Sequence, residues 1–203
     1  MGLSERKERE KQEMREMILD AARNLFIKEG FEQVTIRSIA EEIEYSPATV
    51  YLYFKDKDSI LCALQEIGFR ELDKRMTMLD AVRNPAERLR LSGKIYCDFA
   101  MENKELYDLM FIMRAPMNAV DSPAEWKVGR HSYELLQSIV QECIDGGIIK
   151  TADPKIATFS LWALMHGAVS IFIRGRAPMI PQEQQGRIIN KIMDFSMAEM
   201  LNE

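Results

Sequence analysis

Apolar residues recur along this chain at intervals of three and four, and nowhere alternate long enough for a strand. That spacing predicts about nine helices and an all-α fold. The first helix is predicted over residues 4–29, with Met14, Ile18, Ala21, Ala22, Leu25 and Phe26 on one face. Gly30 follows as a left-handed cap, and Phe31 is placed to fold back on the helix end. Thr35 caps a short second helix carrying Ile36, Ile39, Ala40 and Ile43. Ser46-Pro47 reads as an N-cap followed by proline at the first helical position, opening a third helix to about Phe54 with Val50 and Phe54 facing inward. Asp56 caps a fourth, over about 57–79, bearing Ile60, Leu61, Leu64, Ile67 and Leu72.

The same punctuation continues. Asn84-Pro85 opens a helix with Leu89, Ile95, Tyr96 and Phe99, and a shorter one covers 104–113 and ends near Pro116. Asp121-Ser122-Pro123 opens a long helix that stops at Gly146-Gly147. Asp153-Pro154 opens an apolar helix through Ile173, and Pro181 opens the last, with Ile188, Ile189, Ile192, Met193 and Phe195.

Composition narrows the class. With 203 residues, 47% hydrophobic and 29% charged, the chain is long enough for a buried core and divided like a water-soluble one. The longest apolar run, residues 159–173, is broken by Ser160, His166 and Ser170, so no membrane span is expected. The charged first residues lack the apolar core of a secretory signal. Cys62, Cys97 and Cys143 are far apart and read as buried thiols of a reducing cytoplasm. The net charge is −5, and residues 1–57 hold 10 Lys/Arg against 12 Asp/Glu. Any binding of nucleic acid must therefore rest on a few well-placed donors rather than on bulk charge.

The segment from Val34 to Leu61 has the form of a helix-turn-helix, over Thr35 to Phe54. Such a pair presents its second helix to the major groove, N-terminal end first. Ser46, Pro47, Ala48 and Thr49 are small enough to approach base edges there. Tyr51 and Tyr53 are placed outward, within reach of phosphates, which fix register without reading sequence. Lys57 lies among backbone amides that favour an anion, with Lys55 beside it and Thr35 and Arg37 across the rim. Glu41, Glu42, Glu44 and Asp56 crowd the same rim, so salt-sensitive binding is expected.

These residues resemble the N-terminal domain of the tetracycline-repressor (TetR) family of bacterial regulators. The likeness is carried by Phe26, Gly30 and Phe31, by Thr35, Ile39 and Ala40, by Ser46-Pro47-Ala48-Thr49-Val50-Tyr51 with Tyr53-Phe54, and by Lys57 and Leu61. Two positions depart from the family pattern. Glu44 stands in the turn where glycine is usual, and Leu52 where a basic or polar residue is frequent. Leu52 either touches a thymine methyl or packs on the fourth helix.

The resemblance implies a DNA-binding domain at residues 11–72 and, at 73–203, a domain that binds an effector and dimerises through the last two helices. It implies a ligand-responsive repressor that holds double-stranded, palindromic operator DNA as a homodimer. The nearly all-round apolar stretch 161–169 agrees with a second buried face near the C-terminus. Trp162-x-x-x-His166-Gly167 resembles a Trp-His-Gly pattern of one subgroup of these effector domains, with His166 either a ligand contact or a buried, hydrogen-bonded histidine. Among 14 methionines, Met110, Met113 and Met117 join Phe99, Trp126, Trp162 and His166 as candidates for a pocket suited to a largely apolar effector; ordinary core packing is the competing reading. With two histidines 35 positions apart and no nucleophile elbow, phosphate loop or dinucleotide glycine motif, neither metal, cofactor nor enzyme activity is expected. The competing function is a helical dimeric interaction module that has lost DNA binding.

Overall fold

The computed structural model of the protein describes residues 2–120, 126–150 and 153–201. Among them are nine α-helices and no strand: α1 (Leu3–Glu29), α2 (Ile36–Glu42), α3 (Pro47–Tyr51), α4 (Lys57–Met76), α5 (Pro85–Glu102), α6 (Lys104–Phe111), α7 (Lys127–Asp145), α8 (Pro154–Ile173) and α9 (Gln182–Leu201). Two 3-10 turns, Thr77–Ala81 and Ala115–Ala119, follow α4 and α6. Caps at Thr35, Ser46, Asn84 and Asp153 each accept a backbone N–H of the first turn. The start expected at Asp121-Ser122-Pro123 lies outside the described residues.

The chain divides into two compact units. The first comprises Met1–Gly68 with Asp108–Glu125. Its core is Ile18, Ala22 and Phe26 of α1, Ile39 and Ala40 of α2, Val50 of α3, Phe54, and Ile60, Leu61 and Leu64 of α4. Buried Gln65 explains why a distant segment belongs here. Its amide donates to Met110 O at 3.2 Å and Leu109 O at 3.4 Å, while Asn118 Nδ2 donates to Asp58 at 3.0 Å.

The second unit comprises Phe69–Tyr107 with Trp126–Glu203, and α5, α7, α8 and α9 pack on one another. Its core includes Leu89, Tyr96 and Phe99 of α5, Ile139, Val140 and Cys143 of α7 and Leu161, Met165 and Val169 of α8. Arg88 pairs with Glu142 at 2.6 Å across α5 and α7.

One expectation needs a different reason and one needs correction. Interrupted as it is, α8 is long and apolar enough to cross a membrane by length and composition, because three small or weakly polar residues do not offset its leucines, isoleucines and aromatics. Its Ala157, Leu161, Met165, Val169 and Phe172 face is instead buried within the second unit. Of the three cysteines, only Cys97 and Cys143 are buried, their thiols pushed up to about 12 and about 11 by burial; Cys62 is half-buried.

Candidate DNA-binding surface and effector site

The helix-turn-helix is built from local bonds. Thr35 and Ser38 cap α2 reciprocally, Thr35 Oγ1 accepting from Ser38 N at 3.0 Å and Ser38 Oγ from Thr35 N at 2.9 Å. At the other end Tyr45 N donates to Ala40 O at 2.9 Å and Glu44 N to Glu41 O at 3.2 Å, the paired bonds of a Schellman turn. That turn needs a left-handed residue, and Glu44 supplies it at φ 59°. It is the one non-glycine with positive φ among the described residues; Gly147 and Gly175 do the same for α7 and α8 at 68° and 61°. The family's usual glycine is missing, but its backbone conformation is kept.

Ser46 Oγ accepts from Thr49 N at 3.2 Å and lies 3.0 Å from Thr49 Oγ1. With Pro47 next, this begins α3, which as a regular helix ends at Tyr51, earlier than the Phe54 expected. Leu52 and Tyr53 finish in tighter turns on Thr49 O and Val50 O, and Phe54 N donates to Val50 O with α-helical spacing. Val50 and Phe54 are buried, as their spacing predicts, and Ser46, Pro47 and Ala48 are exposed. Tyr51 is 56% exposed and Leu52 80%, so Leu52 does not pack on α4. Tyr53 and Thr49 are half-buried.

The basic residues differ in how far they are committed. Lys55 is exposed. Arg37 is exposed too and pairs with Glu41, one turn on, at 3.0 Å. A surface pair of this kind contributes little and is screened by salt, so a phosphate can compete for the guanidinium. Lys57 is spoken for: its ammonium donates to Phe31 O at 2.7 Å and Val34 O at 3.0 Å. It ties the start of α4 to the segment between α1 and α2, leaving one of its three donors. Asp56 and Ser59 cap α4 reciprocally beside it. Sequence reasoning missed Arg15, whose guanidinium lies over the Phe54 ring and donates to Tyr53 O at 3.4 Å. Nothing in the local pattern of α1 marks it, since its partner is 38 residues away.

In the second unit a hydrogen-bonded aromatic cluster surrounds His166. Tyr96 and Tyr107 place their hydroxyls 3.0 and 2.9 Å from His166 Nδ1, and Tyr107 also donates to His166 O at 3.2 Å. A phenol that donates to Nδ1 requires that nitrogen to be unprotonated, and the Tyr107 hydroxyl also donates to His166 O. Burial lowers the imidazole's proton affinity in the same sense, and raises that of the Tyr96 phenol. Trp162 lies 5.5 Å from the imidazole, ring centre to ring centre, and Tyr133 and Phe159 stack edge-on against Trp162. Tyr96 and Tyr107 lie 70 and 59 positions from His166, beyond any spacing rule.

Of the seven pocket candidates, four belong to the second unit and three to the first. Trp162 and His166 adjoin, and Phe99 is buried in the same unit beneath Arg75. Trp126 stands edge-on to Phe69 at 5.6 Å and covers Gly129. Met110, Met113 and Met117 belong to the first unit, Met110 buried and Met117 beside Gln65. A separate cleft in the second unit, lined by Arg90, Leu91, Lys94, Met165, Ile189 and Met193 among others, contains none of the seven.

Comparison with known proteins agrees with this anatomy. Residues 18–64 match the model of bacterial regulatory proteins of the tetR family, and residues 89–194 that of the tetracyclin repressor-like C-terminal domain. The fatty acid metabolism regulator protein of Bacillus subtilis is 31% identical over 160 residues, 77% of this chain and 81% of its own. The HTH-type transcriptional regulator HbdR of Aromatoleum sp. is 25% identical over 168 residues, 77% of this chain and 72% of its own. Among solved structures, the fatty acid degradation regulator FadR of Bacillus halodurans superposes with TM-score 0.72 at 17% identity, covering 90% of this chain and 94% of that one. FadR of Bacillus subtilis, solved in complex with stearoyl-CoA, gives 0.71 at 18%, covering 90% and 97%. With a family match over each part of the chain, and a relative alike over most of its length, this protein belongs to the TetR family of helix-turn-helix transcriptional regulators.

Proposed function

We propose that this regulator is a ligand-responsive repressor that binds a palindromic operator as a homodimer in the cytoplasm. The observation that carries the reading is α3, capped by Ser46 and held from behind by Val50 and Phe54, with its other face open to solvent. Ser46, Pro47, Ala48 and Thr49 meet the bases. Thr35, Arg37, Tyr51, Tyr53 and Lys55 meet the flanking phosphates, and Lys57 adds its remaining donor while holding the motif together. A dimer follows from groove geometry, since two such helices need a separation of about 34–36 Å to enter successive major grooves. Ile156, Phe159, Leu164 and Ile171 of α8 and Phe195 of α9 are exposed apolar residues that a partner copy would cover.

The effector is largely apolar and sits in the second domain beside Trp162 and His166. The names of the Bacillus subtilis relative and of the stearoyl-CoA complex support an acyl chain as its chemistry. It releases DNA by favouring a state whose recognition helices no longer match the groove spacing, and acts only through differential affinity for the two states.

The test is binding of the purified protein to DNA upstream of its own gene across a salt series, with light scattering for mass, beside Tyr53→Phe and Lys55→Ala. Specific binding by a dimer, weakened in both variants and relieved by a long-chain acyl-CoA, is the expected result. A dimer with no affinity at low salt would make the protein an interaction module instead. Tight acyl-CoA binding without release of DNA would overturn the effector assignment.

A further inference from the structure

We infer that α3 reads its operator through thymine methyl groups, with Leu52 and Ala48 as the reading side chains; this rests on the DNA-binding reading above. From Ser46 to Phe54 there is no Arg, Lys, Asn, Gln, Asp or Glu. Those are the side chains that make the bidentate and charge-matched contacts to guanine, adenine and cytosine edges in the major groove. Of the hydroxyls that remain, Ser46 Oγ accepts from Thr49 N and shares a bond with Thr49 Oγ1 at 3.0 Å, and those of Tyr51 and Tyr53 are assigned to phosphates above. Hydrogen-bond readout from this helix is therefore poor, and its outward chemistry is apolar.

Helix phase decides which apolar groups lead. Val50 is fully buried, and at about 100° per residue the positions two before and two after it point to the opposite side. These are Ala48 and Leu52, one turn apart on a single outward face. Leu52 keeps helical angles, φ −71° and ψ −20°, so the phase runs through it. At 80% exposure it has no apolar neighbour of its own to cover it. The apolar group on a base edge in the major groove is the C5 methyl of thymine. Each half-site accordingly carries thymines where Ala48 and Leu52 face the groove, and uncharged methyl contact, not hydrogen bonding, distinguishes those positions.

Selection of operators from random duplex by the full-length protein, followed by replacement of each selected thymine with deoxyuridine, tests this directly. Deoxyuridine keeps the pairing and removes only the methyl. Wild-type protein should lose about fourfold in affinity at the position facing Leu52 in one half-site, the worth of one buried methyl group. Leu52→Ala, at an exposed position that leaves the fold alone, should bind the thymine and uracil duplexes equally there. An enriched operator with a flat uracil scan, or a scan unchanged in Leu52→Ala, would overturn this inference and leave DNA binding standing. Failure to enrich any sequence would overturn the DNA-binding reading and this one with it.

Discussion

The guanidinium of Arg15 lies 4.2 Å from the centre of the Phe54 ring, and the same side chain donates to Tyr53 O. One residue of α1 thus holds the end of the recognition segment by its face and by its backbone. A partly buried cation–π pair contributes about 0.5–2 kcal/mol. Arg15→Ala should lower stability by about that amount and weaken operator binding beyond it, because the end of α3 is no longer fixed. Arg15→Lys should recover part of the stacking. Thermal melts beside operator titrations separate the two effects, and unchanged operator affinity in Arg15→Ala would remove the positioning role.

Glu44 adopts at φ 59° the conformation that Gly147 and Gly175 adopt in equivalent turns. A side chain in left-handed backbone costs about 1–2 kcal/mol, part of which glycine returns by its greater freedom when unfolded. Glu44→Gly should stabilise the protein by about 1 kcal/mol, whereas Glu44→Ala, which keeps the Cβ, should not. Urea unfolding of the pair tests this, and equal midpoints would show that the turn carries no strain.

His166 is half-buried, and its proton affinity is lowered below the usual 6.5 by burial. The unfolded chain binds the proton more readily, so this contribution to stability is complete above about pH 6.5 and falls as pH drops toward the lower folded value. The melting temperature should decline between pH 7.5 and 5.5, and decline less in His166→Gln. Parallel declines would mean that other groups carry the acid sensitivity.

Two close approaches in the second unit contrast a soft neighbour with a stiff one. A Cβ at Gly93 would stand 1.7 Å from the methyl of Met193, the free end of a flexible side chain. At Gly129 it would stand 2.1 Å from the Trp126 ring, which is itself set against Phe69. Gly93→Ala should be nearly neutral, its gain of up to about 1 kcal/mol in helix propensity offsetting a methionine shift. Gly129→Ala should cost about 1–3 kcal/mol and change Trp126 fluorescence. A neutral Gly129→Ala would show that the indole moves freely.

What the sequence determined by itself is whatever depends on near neighbours. Periodicity placed the helices, and Thr35, Ser46, Asn84 and Asp153 announced their caps, because a cap bonds two or three residues ahead. Val50 and Phe54 revealed the inward face of α3 for the same reason, and the tight spacing of the motif made the family legible. Tertiary structure decided what depends on distant partners. It turned Lys57 toward Phe31 O and Val34 O, set Arg15 on Phe54, and brought Tyr96 and Tyr107 to one nitrogen of His166. It also left Leu52 in solvent and put Met110, Met113 and Met117 in the first unit while Phe99, Trp126, Trp162 and His166 went to the second. Helix phase tells which side of a residue is apolar; which other helix meets that side is fixed only when the chain closes on itself and each buried donor finds its acceptor.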